Sequence, residues 1–562
     1  MERVIMTEYE RWHAMKLDDP DLTEELNAIE GNPEEINDRF YRELEFGTGG
    51  LRGVIGGGTN RFNIFSVRKA TQGLANYLNK KSSHASVAIA YDSRIKSDVF
   101  AKAAAEVLAA NGITAHLYPQ LMPTPALSFA VRHLKCDAGI CITASHNPAK
   151  YNGYKAYGSD GCQVALEMAD AILDEINRLD IFRDVKHMDY DAAVEQGSIK
   201  AIGEDVVIAF LNAVKSQSIL DCSDSDLKVV YTPLNGSGKM CVTRIFDMIG
   251  IKDVTIVPEQ SEPDGNFPTC PYPNPEFREA LQVGLNLCES VQPDLLVATD
   301  PDCDRMGIAV RHNGDYQLLN GNEVGVLLLD FIARNRIANG TMPKHPIAVK
   351  TIVSTDLTDS VAKEYGIELR NVLTGFKYIG DQIAGLEANG EESRYIFGFE
   401  ESYGYLSGSY VRDKDAVNAS MLVCEMAVDY KKQGKTLVDA IHDIYEKHGY
   451  FLNELMNFTF EGQDGMNKMQ SIMEHLRTNT PTKIADFAVV GWSDYKASKY
   501  FDGTIETEIT LPKSNVLEYR LENGSKLIVR PSGTEPKLQL YLSAKGKTRE
   551  ESQAVIQAFK NC

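Results

Sequence analysis

One succession of elements occurs three times along this 562-residue chain and leaves few folds open. Its first copy occupies residues 66–143. SVAIAY (86–91) reads as a strand, 97–110 as an Ala-rich helix stopped near Gly112, and 113–118 as a second strand. A helix follows from Thr124, with Pro125 in its first turn, where a missing N–H costs no hydrogen bond. AGICIT (138–143) is a short apolar run of the kind that forms buried parallel strands, and it leads directly into Ser145. From Leu227 the order returns as VVYTP, a helix through Met248, VTIVPE, a helix near Phe277 and DLLVATD ending at Asp300. From Ile347 it returns again as AVKTIVST, a helix through Tyr365, IELRNVL, a further helix and YIFGFEES. These are βαβ successions, and ligands of such sheets bind beyond the carboxyl ends of the strands. The polar residues after each last strand are therefore where chemistry is expected.

The final stretch differs in kind. VLEYRLENGSKLIVR reads as two strands around an Asn523-Gly524 turn, followed by KLQLYLSA and a helix announced by a capping box from Thr548 to Glu551. This predicts a smaller α+β domain. At roughly 150 residues per domain the length predicts about four domains, and the element pattern divides them at 1–205, 206–320, 321–447 and 448–562. Hydrophobic residues make up 43% of the chain, enough to fill several cores.

A formal charge of −21 excludes general nucleic-acid binding, which needs a basic surface to displace counterions from phosphates. It also means that any phosphorylated ligand must be met by Arg and Lys concentrated in particular loops. The opening MERVIMTEYERWHAMKLDDP has no apolar core of a secretory signal, so a cytoplasmic location is expected. No apolar run approaches the ~18 residues of a membrane span. The ten cysteines include no CxxC pair, which predicts reduced, mostly buried thiols.

Four segments carry the candidate chemistry. In TASHNPAKYNGYKAYGSDG, Ser145 follows a strand directly and is flanked by His146, Asn147 and Pro148, the place for an exposed nucleophile, with Lys155 ten residues on. The same residue types also make ordinary turns. Asp300, Asp302 and Asp304 alternate on a strand-ending loop, and three carboxylates so close need a cation. The EF-hand alternative fails because Arg305 and Arg311 stand where that loop requires Gly and Glu, whereas Mg²⁺ with open positions suits an all-oxygen set. GFEES (398–402) presents Glu400 and Ser402 as acceptors for sugar hydroxyls. RPSGTEPK (530–537) combines Arg530, Ser532, Gly533, Thr534 and Lys537 into the local phosphate cradle that the acidic composition demands. Near the N-terminus, GTGGLRGVIGGG sets Arg52 in a glycine-rich loop that lacks the ending of a Walker A motif.

Taken together, TASHNP, DPDCDR, GFEES and RPSGTEP resemble, in order, the four signatures of the α-D-phosphohexomutase superfamily, and the resemblance runs from about Gly47 to the C-terminal helix. YNGYK, TGFKYIG and GYL are similar to its longer phosphoglucomutase and phosphomannomutase branch. The resemblance implies an α/β protein of three consecutive βαβαβ-type mixed-sheet domains plus a smaller C-terminal α+β domain, arranged around a central cleft. It implies an intramolecular phosphotransferase that interconverts α-D-glucose 1-phosphate and D-glucose 6-phosphate, with mannose or pentose phosphates as alternatives. Ser145 would carry the phosphoryl group and join Asp300, Asp302 and Asp304 around one Mg²⁺ per subunit, and glucose 1,6-bisphosphate would be intermediate and activator. His146, Lys155 and Arg52 would act in catalysis. A lysine base would need a depressed pKa. Arg305, Gly375, Lys377, Glu400, Ser402, Arg412 and Lys414 would bind the sugar phosphate, and the 530–537 segment the distal phosphate. Partners are then small sugar phosphates, with a monomer or small homo-oligomer expected. Many relatives carry a His shortly after the sugar-binding loop, whereas this chain reads GYLSGSYV with Tyr410 near that position, so the second acid/base group stays unassigned.

Two rival readings share these residues. A silent sugar-phosphate-binding scaffold would be expected to lack the serine or an aspartate. A metal-dependent phosphatase would have no use for a complete distal phosphate site.

Overall fold

Apolar runs that the sequence marks as strands lie at the centres of separate sheets in the computed structural model, which describes residues 2–47, 49–460, 462–531 and 537–562. The chain divides into two compact units. The first comprises Met1–Leu319, Gly380–Tyr395 and Tyr403–Lys431, the second Asn320–Ile379, Ile396–Ser402 and Lys432–Cys562.

In the first unit the N-terminal extension forms three helices, Glu2–Ala14, Pro20–Ala28 and Pro33–Phe40. The latter two begin with a proline behind the capping side chains of Asp19 and Asn32. Trp12, Leu22, Leu26, Ile36 and Phe40 join these helices to the core of the first sheet. That sheet contains β1 (Leu51–Val54), β2 (Ser86–Tyr91), β3 (Thr114–Leu117), β4 (Ala138–Ile142), β5 (Tyr151–Gly158) and β6 (Ile199–Ala201), in the order β1-β5-β4-β2-β3-β6. β2 runs parallel to β3 and β4, and helices Ser97–Ala110 and Thr124–His133 make the crossovers.

Two strands of this sheet differ from the sequence reading. Arg52 stands on edge strand β1 rather than in a loop, and Lys155 on β5, which returns antiparallel along β4 with Cys141 opposite Lys155. YNGYKAYG lacks the apolar alternation of a strand because its polar Asn152 and Lys155 are themselves buried. Its glycines permit close approach. A Cβ on Gly153 would stand 2.5 Å from the Thr143 carbonyl oxygen, and one on Gly50, at φ 90°, only 1.9 Å from that of Tyr154.

The second sheet contains β7 (Lys228–Thr232), β8 (Asp253–Ile256), β9 (Leu295–Thr299), β10 (Met306–His312) and β11 (Asp315–Leu319), ordered β11-β10-β9-β7-β8. β7 is parallel to β8 and β9, whereas β10 is antiparallel to β9 with Met306 opposite Thr299. DPDCDR is therefore the tip of a hairpin.

The second unit holds β12 (Ile347–Thr351) and β13 (Glu368–Val372) in parallel register, with β14 (Tyr395–Glu400) on the other side of β12. The short β15 (Gly404–Leu406) follows in the first unit. The C-terminal sheet is formed by β16 (Tyr450–Thr459), β17 (Lys483–Ile484), β18 (Phe487–Asp494), β19 (Lys499–Phe501), β20 (Glu506–Glu508), β21 (Leu517–Leu521), β22 (Lys526–Pro531) and β23 (Lys537–Gly546). Helices Gly462–Thr478 and Arg549–Lys560 contribute Met469, Met473, Val555 and Phe559 to its core. β21 and β22 flank the Asn523-Gly524 turn, with Arg520 opposite Lys526 and Gly524 at φ 82°. At the last helix Thr548 caps the Glu551 N–H at 3.2 Å, but the Glu551 carboxylate accepts from the N–H of Lys547, one residue before the cap, so the box is only half formed.

A charge cluster built on two buried lysines ties this unit internally. The Asp356 carboxylate accepts from Lys526 Nζ at 2.7 Å and Lys350 Nζ at 3.2 Å, and Lys526 also donates to the Ile352 carbonyl at 3.0 Å. Burial alone would raise the Asp356 pKa, but Lys526 and Lys350 overcome that and hold it well below the usual carboxylate range. A depressed carboxylate contributes stability above its unfolded value of about 4, and that contribution is lost as pH falls through the lower folded value. Asp356→Ala leaves two buried ammonium groups short of a partner and should cost about 2–3 kcal/mol, toward the lower end because the carboxyl is 33% exposed. Urea unfolding of variant and wild type should differ by this amount at pH 7 and by less at pH 3, the gap narrowing further as pH falls toward the folded value. An equal difference at both pH values would reject the assignment.

Candidate active site

All of Ser145, the three aspartates and Lys155 lie in the first unit, at the carboxyl end of β4, in the β9–β10 hairpin tip and on β5. The aspartate tip is pinned from below. Ser237 donates through Oγ and through its N–H to the Pro301 carbonyl, both at 2.8 Å, and a Cβ on Gly236 would stand 2.4 Å from Pro301 Cα. Asp300 Oδ1 accepts the N–H groups of Asp304 (3.0 Å) and Arg305 (2.9 Å), which curls the tip around its own first carboxylate.

Ser145 Oγ donates to Asp300 Oδ2 at 3.0 Å and lies 3.4 Å from His146 Nδ1. The serine is not the exposed group that its loop position predicts: only 4% of it is accessible, because the aspartate tip covers it. Ser145 is held at φ 52°, in the left-handed region that residues with a Cβ seldom occupy. Such strain persists only where surrounding bonds over-determine it.

Asp300, Asp302 and Asp304 each bring a carboxylate oxygen within 4.8 Å of the others, and all three are buried. Burial and the neighbouring Asp302 and Asp304 charges push Asp300 well above its ordinary value. Asp302 and Asp304 are held low despite burial, by Lys155 and Lys414 respectively. Lys155 Nζ donates to Asp302 Oδ2 at 2.7 Å and Asp304 Oδ2 at 3.2 Å, and Thr124 Oγ1 to Asp302 Oδ2 at 2.9 Å. Among the described residues the second oxygens, Asp302 Oδ1 and Asp304 Oδ1, are buried with no hydrogen-bond donor, Arg305 Nε standing 3.9 Å from the latter. Two orphaned carboxylate oxygens beside a serine hydroxyl form an all-oxygen donor set, which fits a hard divalent cation such as Mg²⁺ and not a soft one.

Burial would lower the Lys155 pKa, but the Asp302 and Asp304 charges more than offset that and raise it. His146 is pushed well below the ordinary imidazole value by burial and by Arg305 and Arg52, so its ring is neutral. Arg52 donates from Nη1 to Asn147 Oδ1 at 3.0 Å, and Arg305 from Nη1 to Glu276 Oε1 at 2.8 Å. Lys414 Nζ reaches Asp304 Oδ2 at 3.2 Å, steadied by Asp413, whose carboxylate accepts from Tyr157 Oη at 2.8 Å. Gly404 leaves room for the Lys414 stem, since a Cβ there would stand 2.1 Å from its Cδ.

Arg412 has a different setting from that of a ligand-binding residue. Its buried guanidinium donates to the Val411 carbonyl (3.0 Å), the Ser409 carbonyl and Glu387 (2.7 Å), which braces the loop that delivers Lys414. Tyr410 is likewise internal: its hydroxyl donates to Asp415 at 2.6 Å, and burial with that carboxylate pushes its pKa well up. Asp415 also accepts the N–H groups of Val417 (2.8 Å) and Asn418 (3.1 Å), so Tyr410 supports the start of helix Ala416–Lys432.

In the second unit Glu400 Oε1 accepts the N–H of Gly375 at 2.9 Å, which brings TGFK and GFEES together. Lys377 Nζ lies 5.0 Å from the Tyr378 ring centroid, and Ser402 lies in the turn that follows β14. Arg530 on β22 donates to Gln539 Oε1 at 3.4 Å, and Lys537 opens β23. Ser532, Gly533 and Thr534 lie outside the described residues. The sequence reading missed Thr124, Asp413 and Glu276. Thr124 meets Asp302, Asp413 meets Tyr157 and Glu276 meets Arg305 across the chain, and no local pattern marks them.

Comparison with known proteins covers nearly the whole chain. Residues 43–181, 208–314 and 320–448 match alpha/beta/alpha domains I, II and III of the phosphoglucomutase/phosphomannomutase family, and residues 470–558 match its C-terminal domain. A Staphylococcus saprophyticus protein named phosphoglucomutase is 40% identical over 522 residues, covering 92% of this chain and 93% of its own. One of the same name from Staphylococcus haemolyticus is 37% identical over 511 residues, covering 90% and 91%. The fold is also that of the open form of the Paramecium phosphoprotein parafusin (TM-score 0.69, 17% identity, 92% and 95% of the two chains). A phosphoglucomutase/phosphomannomutase family protein of Burkholderia thailandensis gives a TM-score of 0.67 at 19% identity, over 92% and 96%.

Proposed function

The chain belongs to the phosphoglucomutase/phosphomannomutase family, and from that premise we propose that it interconverts α-D-glucose 1-phosphate and D-glucose 6-phosphate by way of a phosphoryl group on Ser145. The observation that carries the reading is Ser145 Oγ, 3.0 Å from Asp300, beside two orphaned buried carboxylate oxygens. Asp300, Asp302 and Asp304 would hold one Mg²⁺ with the Ser145 oxygen. When bound, the ion neutralises charge on the transferring group.

In the first half-reaction the bond between phosphorus and Ser145 Oγ breaks as one forms to the free sugar hydroxyl. The hydroxyl proton ends on Oγ, leaving free serine and glucose 1,6-bisphosphate. The second half-reaction is the reverse with the other phosphate, after the bisphosphate has turned round. His146, neutral and 3.4 Å from Oγ, would take the proton in transit, while the charged Lys155 and Arg52 would orient and stabilise. Lys414 and Arg305 add cationic charge at the same place. On the family pattern Glu400, Ser402, Gly375 and Lys377 would hold the sugar, and Arg530, Ser532, Gly533, Thr534 and Lys537 the phosphate that is not reacting. The substrates would be small sugar phosphates met in the cytoplasm. Among the described residues no helix is long and apolar enough to cross a membrane.

The test is a comparison of kcat/KM on glucose 1-phosphate, mannose 1-phosphate and ribose 1-phosphate, with Mg²⁺ and glucose 1,6-bisphosphate supplied. The glucose ester should be preferred. Preference for mannose or ribose would move the substrate assignment, and release of inorganic phosphate in place of an isomer would replace the mutase by a phosphatase.

A further inference from the structure

Beneath the Ser145 turn lies a charged group outside every segment that the sequence reading singled out. The Arg94 guanidinium is fully buried there. Its Nη1 donates to the carbonyl oxygens of Pro148 (3.0 Å) and Tyr151 (2.9 Å), and its Nη2 to those of Ser145 (2.6 Å) and Asn147. Four carbonyls of one short turn thus converge on one planar cation. Their dipoles repel one another, and without a cation at the focus the turn would open. A planar fork with two donors on each nitrogen suits four acceptors in a way that an ammonium cannot.

Asp92 completes the unit. Its carboxylate lies 3.5 Å from Arg94 Nε and accepts from Thr143 Oγ1 (2.6 Å), Ser97 Oγ (3.0 Å) and the Arg94 N–H (2.9 Å). Thr143 Oγ1 in turn accepts the Ser145 N–H at 2.8 Å. Both peptide groups of Ser145 are therefore tied to one ion pair, its N–H through Thr143 and Asp92 and its carbonyl through Arg94. That explains how a serine is kept at φ 52°. The second α/β module of this unit also reaches the same arginine. Phe267 brings its ring centroid to 5.1 Å from the guanidinium carbon, and a Cβ on Gly265 would stand 2.8 Å from the Arg94 carbonyl carbon.

We propose that Arg94, backed by Asp92, is the positioning residue that aims the Ser145 oxygen at the aspartate tip and keeps its phosphoryl group in line for the sugar rather than for water. The inference rests on the reading of Ser145 as phosphoryl carrier. In the losing reaction a water oxygen bonds to phosphorus as the bond to Oγ breaks, Oγ takes a proton from the water, and inorganic phosphate departs. A turn held loosely forfeits alignment with the sugar hydroxyl, where about 1 Å of misplacement is worth on the order of 100-fold, while water needs no alignment by the protein. Arg94 bonds only to protein carbonyls in the turn, so substrate affinity should be spared.

The experiment uses full-length wild type, Arg94→Lys and Arg94→Met, each phosphorylated at Ser145 with labelled glucose 1,6-bisphosphate. It reads kcat and KM for glucose 1-phosphate and the labelled inorganic phosphate released per isomerisation. In Arg94→Met kcat should fall about 100-fold with KM within about twofold, and phosphate release per turnover should rise at least about tenfold. Lysine should restore part of kcat, since the charge returns without the fork. If Arg94→Met does not fold, Arg94→Lys carries the test, with a smaller kcat loss and the same rise in leakage. A folded variant with wild-type kcat and leakage, or one whose KM rises while kcat holds, overturns the inference. Wild type that never carries label on Ser145 would instead defeat the phosphoserine reading, so the two failures are distinguishable.

Discussion

Ser145→Ala loses turnover by about 10⁴-fold or more, the scale on which removal of a covalent nucleophile is felt. The fold should not follow. Beyond its backbone, Ser145 bonds only through Oγ, to Asp300 at 3.0 Å and near His146 at 3.4 Å, whereas the turn is held through its peptide N–H and carbonyl. Those peptide groups are untouched by the substitution, and alanine tolerates φ 52° no worse than serine does. The melting temperature should therefore stay within about 2 °C of wild type, since a change of 1 kcal/mol in a domain this large moves it only a few degrees. Intact-mass measurement should find one phosphoryl group on part of the wild type and none on the variant. Turnover within tenfold of wild type would remove Ser145 from the reaction.

The second large effect is expected at Asp302. One of its oxygens is engaged by Lys155 at 2.7 Å and Thr124 at 2.9 Å, and the other is buried without a donor. Asp302→Asn changes no volume. It replaces a hard anionic ligand by a neutral amide whose NH₂ must face either a cation or Lys155. The Mg²⁺ concentration for half-maximal activity should rise at least tenfold and saturated kcat fall by about 10²–10³. Calorimetric Mg²⁺ titration gives the same answer without turnover. The fold should tolerate the change, because Lys155 keeps Asp304 at 3.2 Å and is not left with an uncompensated charge. Unaltered Mg²⁺ dependence, or full wild-type activity in a chelator, would reject the aspartate tip as the metal site.

The α/β modules were legible because their central strands are buried on both faces. Short continuous apolar runs such as AIA in β2, GICI in β4 and LLVA in β9, bounded by turn and helix signals, read as strands inside a sheet. The strands that escaped notice obey a different rule. β5 carries Asn152 and Lys155 inward, so polar residues occupy core positions and the apolar pattern disappears. β10 obeys the ordinary rule, since MGIAV is an apolar run after a tight acidic turn, and it pairs back on β9 to form the hairpin that presents the three aspartates. Arg94 could not have been found by pattern. Its partners are carbonyl oxygens, which every residue has, and only the path of the backbone decides that four of them meet.

Residue chemistry and order along the chain by themselves determined the modules, the four signature segments, the family and the need for a cation among Asp300, Asp302 and Asp304, because apolar periodicity and the repulsion of like charges are local properties. Tertiary structure alone decided the electrostatic roles. Lys155 remains charged because β5 returns it to Asp302 and Asp304, His146 is neutral because Arg52 and Arg305 stand near it in a buried place, and Tyr410 is a strut because Asp415 takes its hydroxyl. A pKa depends on burial and on the charges a few ångströms away, and a neighbour can come from more than a hundred residues distant, as Asp302 does to Lys155.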